Sequence, residues 1–324
     1  MRRSLRVALT LAVSAAAVAY IVYKVDIGKT VSILRDASVP WLIASVVLTY
    51  ITVPPMAWRW QRLLTVRGIR EGVAWLTRAY FVSYAWGQIL PTTVGGDASR
   101  IFETSRRHPG QLTPITGSVL VERALGGAVT LLLAGVGFLL AIGRYPIGAY
   151  LWPEAIFVVL TIAAGIVFFS HTARRRLSFL ILFARRLRIE KPARAVYDGV
   201  HGYRDHAGTL VLVSAVTVLL QLSRVIAIYA SARAVGIHLG LLPYVVLGPL
   251  LFLVMLVPFT VNGIGVREAF FVSFLGNLGV SADAAFACGF LFFVMTVLLA
   301  LPGLAVILWE QIFDRRTSVP TPSG

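Results

Sequence analysis

The sequence predicts an all-α, polytopic integral membrane protein with about six full transmembrane helices plus two re-entrant helical elements in an inverted repeat. Three observations predict it: too little polar surface to coat a globule, a series of apolar stretches of spanning length, and two apolar stretches that break at proline and glycine. Of the 324 residues, 58% are hydrophobic and 14% charged, with a mean hydropathy of +0.82. A soluble domain carries about 25% charged residues, so lipid must cover part of this 35.2 kDa chain. A soluble enzyme, a disordered chain and a nucleic-acid-binding domain are excluded, despite a net charge of +16. That basicity fits loops held against anionic headgroups. The one cysteine, Cys288, lies in an apolar run and supports neither a disulfide framework nor a thiolate metal site.

The first apolar stretch, Leu5 to Tyr23, follows Arg2, Arg3 and Arg6. It is longer than a signal-peptide core and no small-x-small cleavage site follows it, so it reads as a retained helix. Further spans fall at Trp41 to Trp58, Thr113 to Ile142, Leu151 to Ser170, Thr209 to Ala232 and Ala284 to Ile312. Each supplies the ~20 apolar residues that a ~30 Å hydrocarbon core requires. Between Arg174 and Arg204 lie nine cationic residues around Leu177 to Phe183, the pattern of an interfacial helix and a basic connector over 171–208. A single transmembrane domain over 1–316 with a disordered tail at 317–324 is expected.

Two apolar stretches behave differently. Val73 to Leu90 runs into Pro91-Thr-Thr-Val-Gly-Gly96, and Leu242 to Val257 runs into Pro258-Phe-Thr-Val-Asn-Gly263. Proline followed by glycine breaks a helix, and broken backbone at membrane depth survives only under cover of protein or a watery cavity. Pro91 to Arg100 aligns with Pro258 to Arg267 at an offset of 167, matching proline, threonine, valine, the second glycine and the arginine. Gly68-Ile69 matches Gly236-Ile237 at an offset of 168. Three spans separate the copies, so the halves, about 39–142 and 207–313, are expected to be inverted, the arrangement of many secondary transporters. With both broken stretches re-entrant and both termini in the cytoplasm, 22 Lys and Arg residues fall inside and five outside (Lys24, Lys29, Arg35, Arg144, Arg233).

Charges inside apolar stretches mark candidate sites, because each costs about 2.5–3.5 kcal/mol at mid-membrane. Glu122 and Arg123 lie ten residues into their span, Arg224 fifteen into its own, and Arg267-Glu268 follow the second break. Asp97, Arg100 and Glu103 follow the first break at i, i+3 and i+6, which a helix places on one face. For each, a structural ion pair between helices competes with a ligand contact. Arg100 and Arg267 occupy the same slot after a glycine turn, where free backbone amides and a guanidinium suit a phosphate. Thr93, Gly96, Thr260, Asn262 and Gly263 could add neutral hydrogen bonds or serve the turns themselves.

No dinucleotide, P-loop, HExxH or CxxC motif is present, and the five histidines have no ligand spacing. No cofactor is expected. Arg59-Trp60-x-x-Leu63-Leu64, Leu90 to Arg100, Val121-Glu-Arg123 and Asn262-Gly-Ile-Gly-Val-Arg-Glu-Ala269 together resemble the flippase-like family named for the transmembrane region of lysylphosphatidylglycerol synthases. The similarity runs from about Val39 to Phe313. It implies a multi-pass cell-membrane protein that moves an anionic or modified phospholipid or a lipid-linked headgroup between leaflets. Asp97, Arg100, Glu122, Arg123, Asn262, Arg267 and Glu268 then become headgroup contacts. The chain stops about a dozen residues past its last span, so the synthase activity of bifunctional relatives is not expected, and the reading is of a transporter and not an enzyme. The alternative is a membrane-embedded enzyme or accessory subunit acting on a lipid-linked substrate. Expected partners are the lipid and the membrane, with a homo-oligomer or an envelope enzyme as further options.

Overall fold

The computed structural model describes residues 19–89, 95–145, 202–203, 205–256 and 265–317. Every regular element among them is a helix: α1 (Ile27–Arg35), α2 (Val39–Ile51), α3 (Val53–Val66), α4 (Val73–Ile89), α5 (Gly95–Arg107), α6 (Leu112–Ala141), α7 (Ala207–Ala234), α8 (Leu242–Leu256), α9 (Val266–Gly276) and α10 (Ala282–Thr317). Four segments are long and apolar enough to cross a membrane, namely Val39–Val66, Leu112–Ala141, Ala207–Ala234 and Ala282–Ile312. They match four of the six expected spans. Of the other two expected spans, residues 19–23 of the first are helical and the rest lies outside the described residues, as do most of the basic connector and the tail from residue 318.

The span expected to end at Trp58 runs on to Val66. Thr52 keeps helical backbone (φ −73°, ψ −21°) between α2 and α3, and Pro54 and Pro55 sit in the first turn of α3. A missing N–H costs little there, because first-turn amides have no helical acceptor. The extension buries Arg59, Trp60, Leu63 and Leu64 on one face.

Both expected breaks fall between helices, α4 and α5 in the first half and α8 and α9 in the second. After the first, Gly96 presses on α4 so closely that a Cβ would stand 2.5 Å from the Ser83 carbonyl oxygen. After the second, Gly265 takes a positive φ of 83°, and the Glu268 carboxylate accepts its N–H at 2.7 Å. A glutamate at the third helical position caps helices in this way.

The helix neighbours repeat. α10 packs along α4 and α6 along α8; α5 packs on α4 and α9 on α8; α5 meets α6 and α9 meets α10; α3 meets α6 and α7 meets α10. Each long contact closes at a glycine. A Cβ on Gly303 of α10 would lie 1.9 Å from the Phe81 carbonyl oxygen of α4, and one on Gly137 of α6 would lie 3.2 Å from the Val245 carbonyl of α8. α3 and α7 end identically, with Ile69 N–H bonded to Leu64 O and Ile237 N–H to Ala232 O, both at 3.0 Å. Left-handed Gly68 (φ 77°) and Gly236 (φ 79°) close these Schellman turns. Ahead of α7, the fully buried Tyr203 donates to Leu63 O at 2.8 Å. Burial pushes its pKa up, which keeps the hydroxyl a donor.

Candidate functional site

Four helices deliver polar side chains to one point, three of them charged ones. Glu122 lies ten residues into α6, about 15 Å along the axis. Its Oε1 accepts from Arg59 Nη2 of α3 and from the Tyr80 hydroxyl of α4. Its Oε2 accepts from Arg100 Nη1 of α5 at 2.7 Å. Arg100 also donates from Nη1 to the Tyr80 hydroxyl at 2.8 Å and from Nε to Asp97 Oδ1 at 3.1 Å. Asp97 takes a second arginine, since its Oδ2 accepts from Arg123 Nε. Arg59 Nη1 reaches Thr217 Oγ1 of α7 at 2.8 Å. Three guanidinium groups thus share two carboxylates.

Packing holds the cluster rigid. The Arg100 guanidinium lies over the Trp60 ring at 4.6 Å and over the Tyr80 ring at 4.7 Å. Trp60 Nε1 is in turn fixed by Ser118 Oγ at 2.9 Å. Arg59, Asp97, Arg100 and Glu122 are each under 10% exposed. Charges so buried persist only when paired and hydrogen-bonded. Arg59 Nε is buried with no partner among the described residues.

The cluster forms one wall of a cavity of about 510 Å³. α3, α4, α5 and α6 contribute Arg59, Tyr84, Gly96 and Gly127 among others, and α7, α8 and α10 contribute Gln221 and Arg224, Phe252 and Thr296. The cavity therefore lies between the two halves, and its lining mixes charged and polar side chains with apolar ones such as Met56, Leu220 and Phe252. A Cβ added at Gly87, Gly126 or Gly127, all on its lining, would meet no atom within 4 Å.

The family model for the lysylphosphatidylglycerol synthase TM region matches residues 7–303. The chain belongs to that family. No curated protein matches it. As a lysylphosphatidylglycerol synthase TM-region protein it is a multi-pass, lipid-related membrane protein, and its charged cavity is the feature to be explained.

The structure brings Gly96, Asp97, Arg100, Glu122 and Arg123 together on that cavity. Arg267 and Glu268 are placed elsewhere. They bond to each other, with Arg267 Nε on Glu268 Oε1 at 2.8 Å, and the guanidinium lies over the Phe293 ring at 4.8 Å. Arg267 is almost fully buried and is not part of the cavity lining. The matched arginines Arg100 and Arg267 therefore share an environment, a carboxylate and an aromatic face, but they do not converge on one ligand. Glu103 leaves the face of Asp97 and Arg100 and pairs with Arg78 Nη1 at 2.8 Å. Thr93, Thr260, Asn262 and Gly263 lie outside the described residues. Sequence reasoning missed Arg59, Tyr80, Thr217 and Gln221 as site residues, and it noted Arg224 only as a costly charge. For Arg59 the available signal was helical spacing, because Met56, Trp60 and Leu63 continue the apolar face past the expected end of the span.

Proposed function

We propose that this protein is a lipid flippase, carrying a phospholipid or lipid-linked headgroup through the bilayer in the cavity between its two halves. The observation that carries the reading is the make-up of that cavity, which lies among helices of spanning length and combines ionised side chains with the apolar side chains of Met56, Leu220 and Phe252. A headgroup needs the ionised groups and the upper part of an acyl chain the apolar ones. The repeated helix neighbours and the paired glycine contacts support an inverted repeat, in which rocking of one half against the other exposes the site alternately. Both carboxylates on the cavity are engaged by arginines, which supports a transporter over an enzyme needing a free base. The charged half of the site rests on Asp97, Arg100, Glu122 and Arg123 with Arg59, and Arg267 acts as a structural counterpart.

Leaflet transfer of a fluorescent phosphatidylglycerol in proteoliposomes, read by dithionite quenching, tests this. The wild-type protein is expected to expose inner-leaflet label. Gly127→Leu, whose Cβ enters open space on the cavity lining, is expected to fold normally and to slow transfer at least tenfold. Transfer at the wild-type rate in that variant would overturn the reading.

A further inference from the structure

The cavity has a charge imbalance. Among the described residues its lining carries four arginines, Arg59, Arg100, Arg123 and Arg224, against two carboxylates, Asp97 and Glu122. Neither break segment, 90–94 or 257–264, contains an ionisable side chain to alter that balance. Among the described residues two positive charges remain in excess on this lining.

The excess has a focus. Arg224 stands on α7, ten residues from its C-terminal end, and lines the same cavity as the ion cluster. Among the described residues it forms no ion pair. Its Nη1 donates to Gln221 Oε1 at 3.4 Å, a long contact, and its Nη2 rests 3.5 Å from Met56 Sδ. Gln221 is itself held by Thr130 of α6, to whose Oγ1 its amide donates. The guanidinium is exposed, lines the cavity and retains donors for an acceptor that the described residues do not supply. A fixed cation at this depth without a carboxylate is expensive unless a ligand completes it.

We infer that the cavity selects a lipid whose head is net anionic, with its phosphate on Arg224, and rejects a net cationic aminoacylated head. This rests on the flippase reading only in taking the ligand to be a lipid. A lysyl ester of phosphatidylglycerol carries two ammonium groups against one phosphate at neutral pH, so it would bring positive charge to a positive cavity. An unmodified phosphatidylglycerol, a phosphatidic acid or another phosphate-bearing lipid brings the complement. The apolar side chains on the lining, Met56, Leu220 and Phe252, favour a lipid over a free phosphate.

The test is binding, which stands apart from transport. Purified full-length protein in neutral detergent is titrated with dioctanoyl phosphatidylglycerol, its lysyl ester, dioctanoyl phosphatidylcholine and glycerol 3-phosphate, with thermal stabilisation as the readout. Phosphatidylglycerol is expected to stabilise at concentrations at least tenfold below those needed for the lysyl ester or phosphatidylcholine, and glycerol 3-phosphate to bind more weakly than the lipid. Arg224→Gln is expected to lose about tenfold in phosphatidylglycerol affinity while its unliganded melting temperature stays near wild type, and Arg224→Lys to retain most of it. Equal or tighter binding of the lysyl ester would overturn the inference, as would an Arg224→Gln variant with unchanged selectivity. Tighter binding of glycerol 3-phosphate than of the lipid would assign the cation to a soluble anion and overturn it too. Failure of leaflet transfer with this selectivity intact would count against the flippase reading alone.

Discussion

Glu122 is where the cluster is most exposed to a single change. It accepts hydrogen bonds from Arg59, Tyr80 and Arg100, so Glu122→Gln leaves two buried guanidinium groups sharing one neutral amide. Removing one partner of a buried pair costs about 3–5 kcal/mol. The variant is expected to melt well below wild type in detergent. Glu103→Gln gives the contrast, because the Arg78–Glu103 pair is about a quarter exposed and such pairs contribute under about 1 kcal/mol. Equal melting temperatures for the two variants would contradict the burial argument. The same contrast explains what the residues disclosed in sequence. Asp97, Arg100, Glu122 and Arg123 stood out because charge is rare inside apolar stretches. Arg59 was hidden by its neighbours, since Trp58, Arg59, Gln61 and Arg62 together look like the end of a span. Tyr80 and Thr217 carry no charge, and only the fold shows that they complete a carboxylate and a guanidinium.

At the scale of helices, glycine decides how closely the halves approach. α10 meets α4 through Gly303, where an added methyl would fall inside the van der Waals radius of the Phe81 carbonyl. Backbone cannot rotate away as a side chain can, so Gly303→Ala must separate the two helices. Overpacking of this kind costs typically 1–3 kcal/mol, and occasionally more; here the upper end or beyond is expected. Gly248→Ala is the control. Its Cβ would meet Val225 Cγ2 at 3.1 Å and Ile228 Cδ1 at 3.7 Å, side-chain tips able to shift, so a small loss is expected. Melting curves of the two purified variants check the order. Element positions were largely legible, with α4 and α8 expected within a residue or two of their observed bounds, because apolar runs and glycine-proline punctuation set helix limits. The joint at Thr52 was not legible. Proline at a helix start neither stops nor bends the chain by itself, and only the burial of Trp60, Leu63 and Leu64 carries α3 onward.

For the whole molecule, the decisive property is the relation between halves. Turns closed by Gly68 and Gly236 have the same hydrogen bonds and the same buried isoleucine three residues past the helix, and the residues after them, Arg70 and His238, stand 168 apart and are both exposed. If the repeat is inverted, these two equivalent positions face opposite sides of the membrane. The distribution of charge gives the direction. Arg62, Arg67 and Arg70 lie within six residues of Gly68 in sequence and Arg107 pairs with Glu71 beside them, whereas within six residues of Gly236 the sequence has one arginine, Arg233, and cationic residues collect on the cytoplasmic side. The native thiol does not interfere, because Cys288 is fully buried. Single-cysteine variants Arg70→Cys and His238→Cys, probed in intact cells with a membrane-impermeant maleimide, therefore give a direct readout. His238→Cys is expected to label in intact cells and Arg70→Cys only after permeabilisation. Labelling of both from the same side would remove the inversion, and with it the rocking of one half against the other.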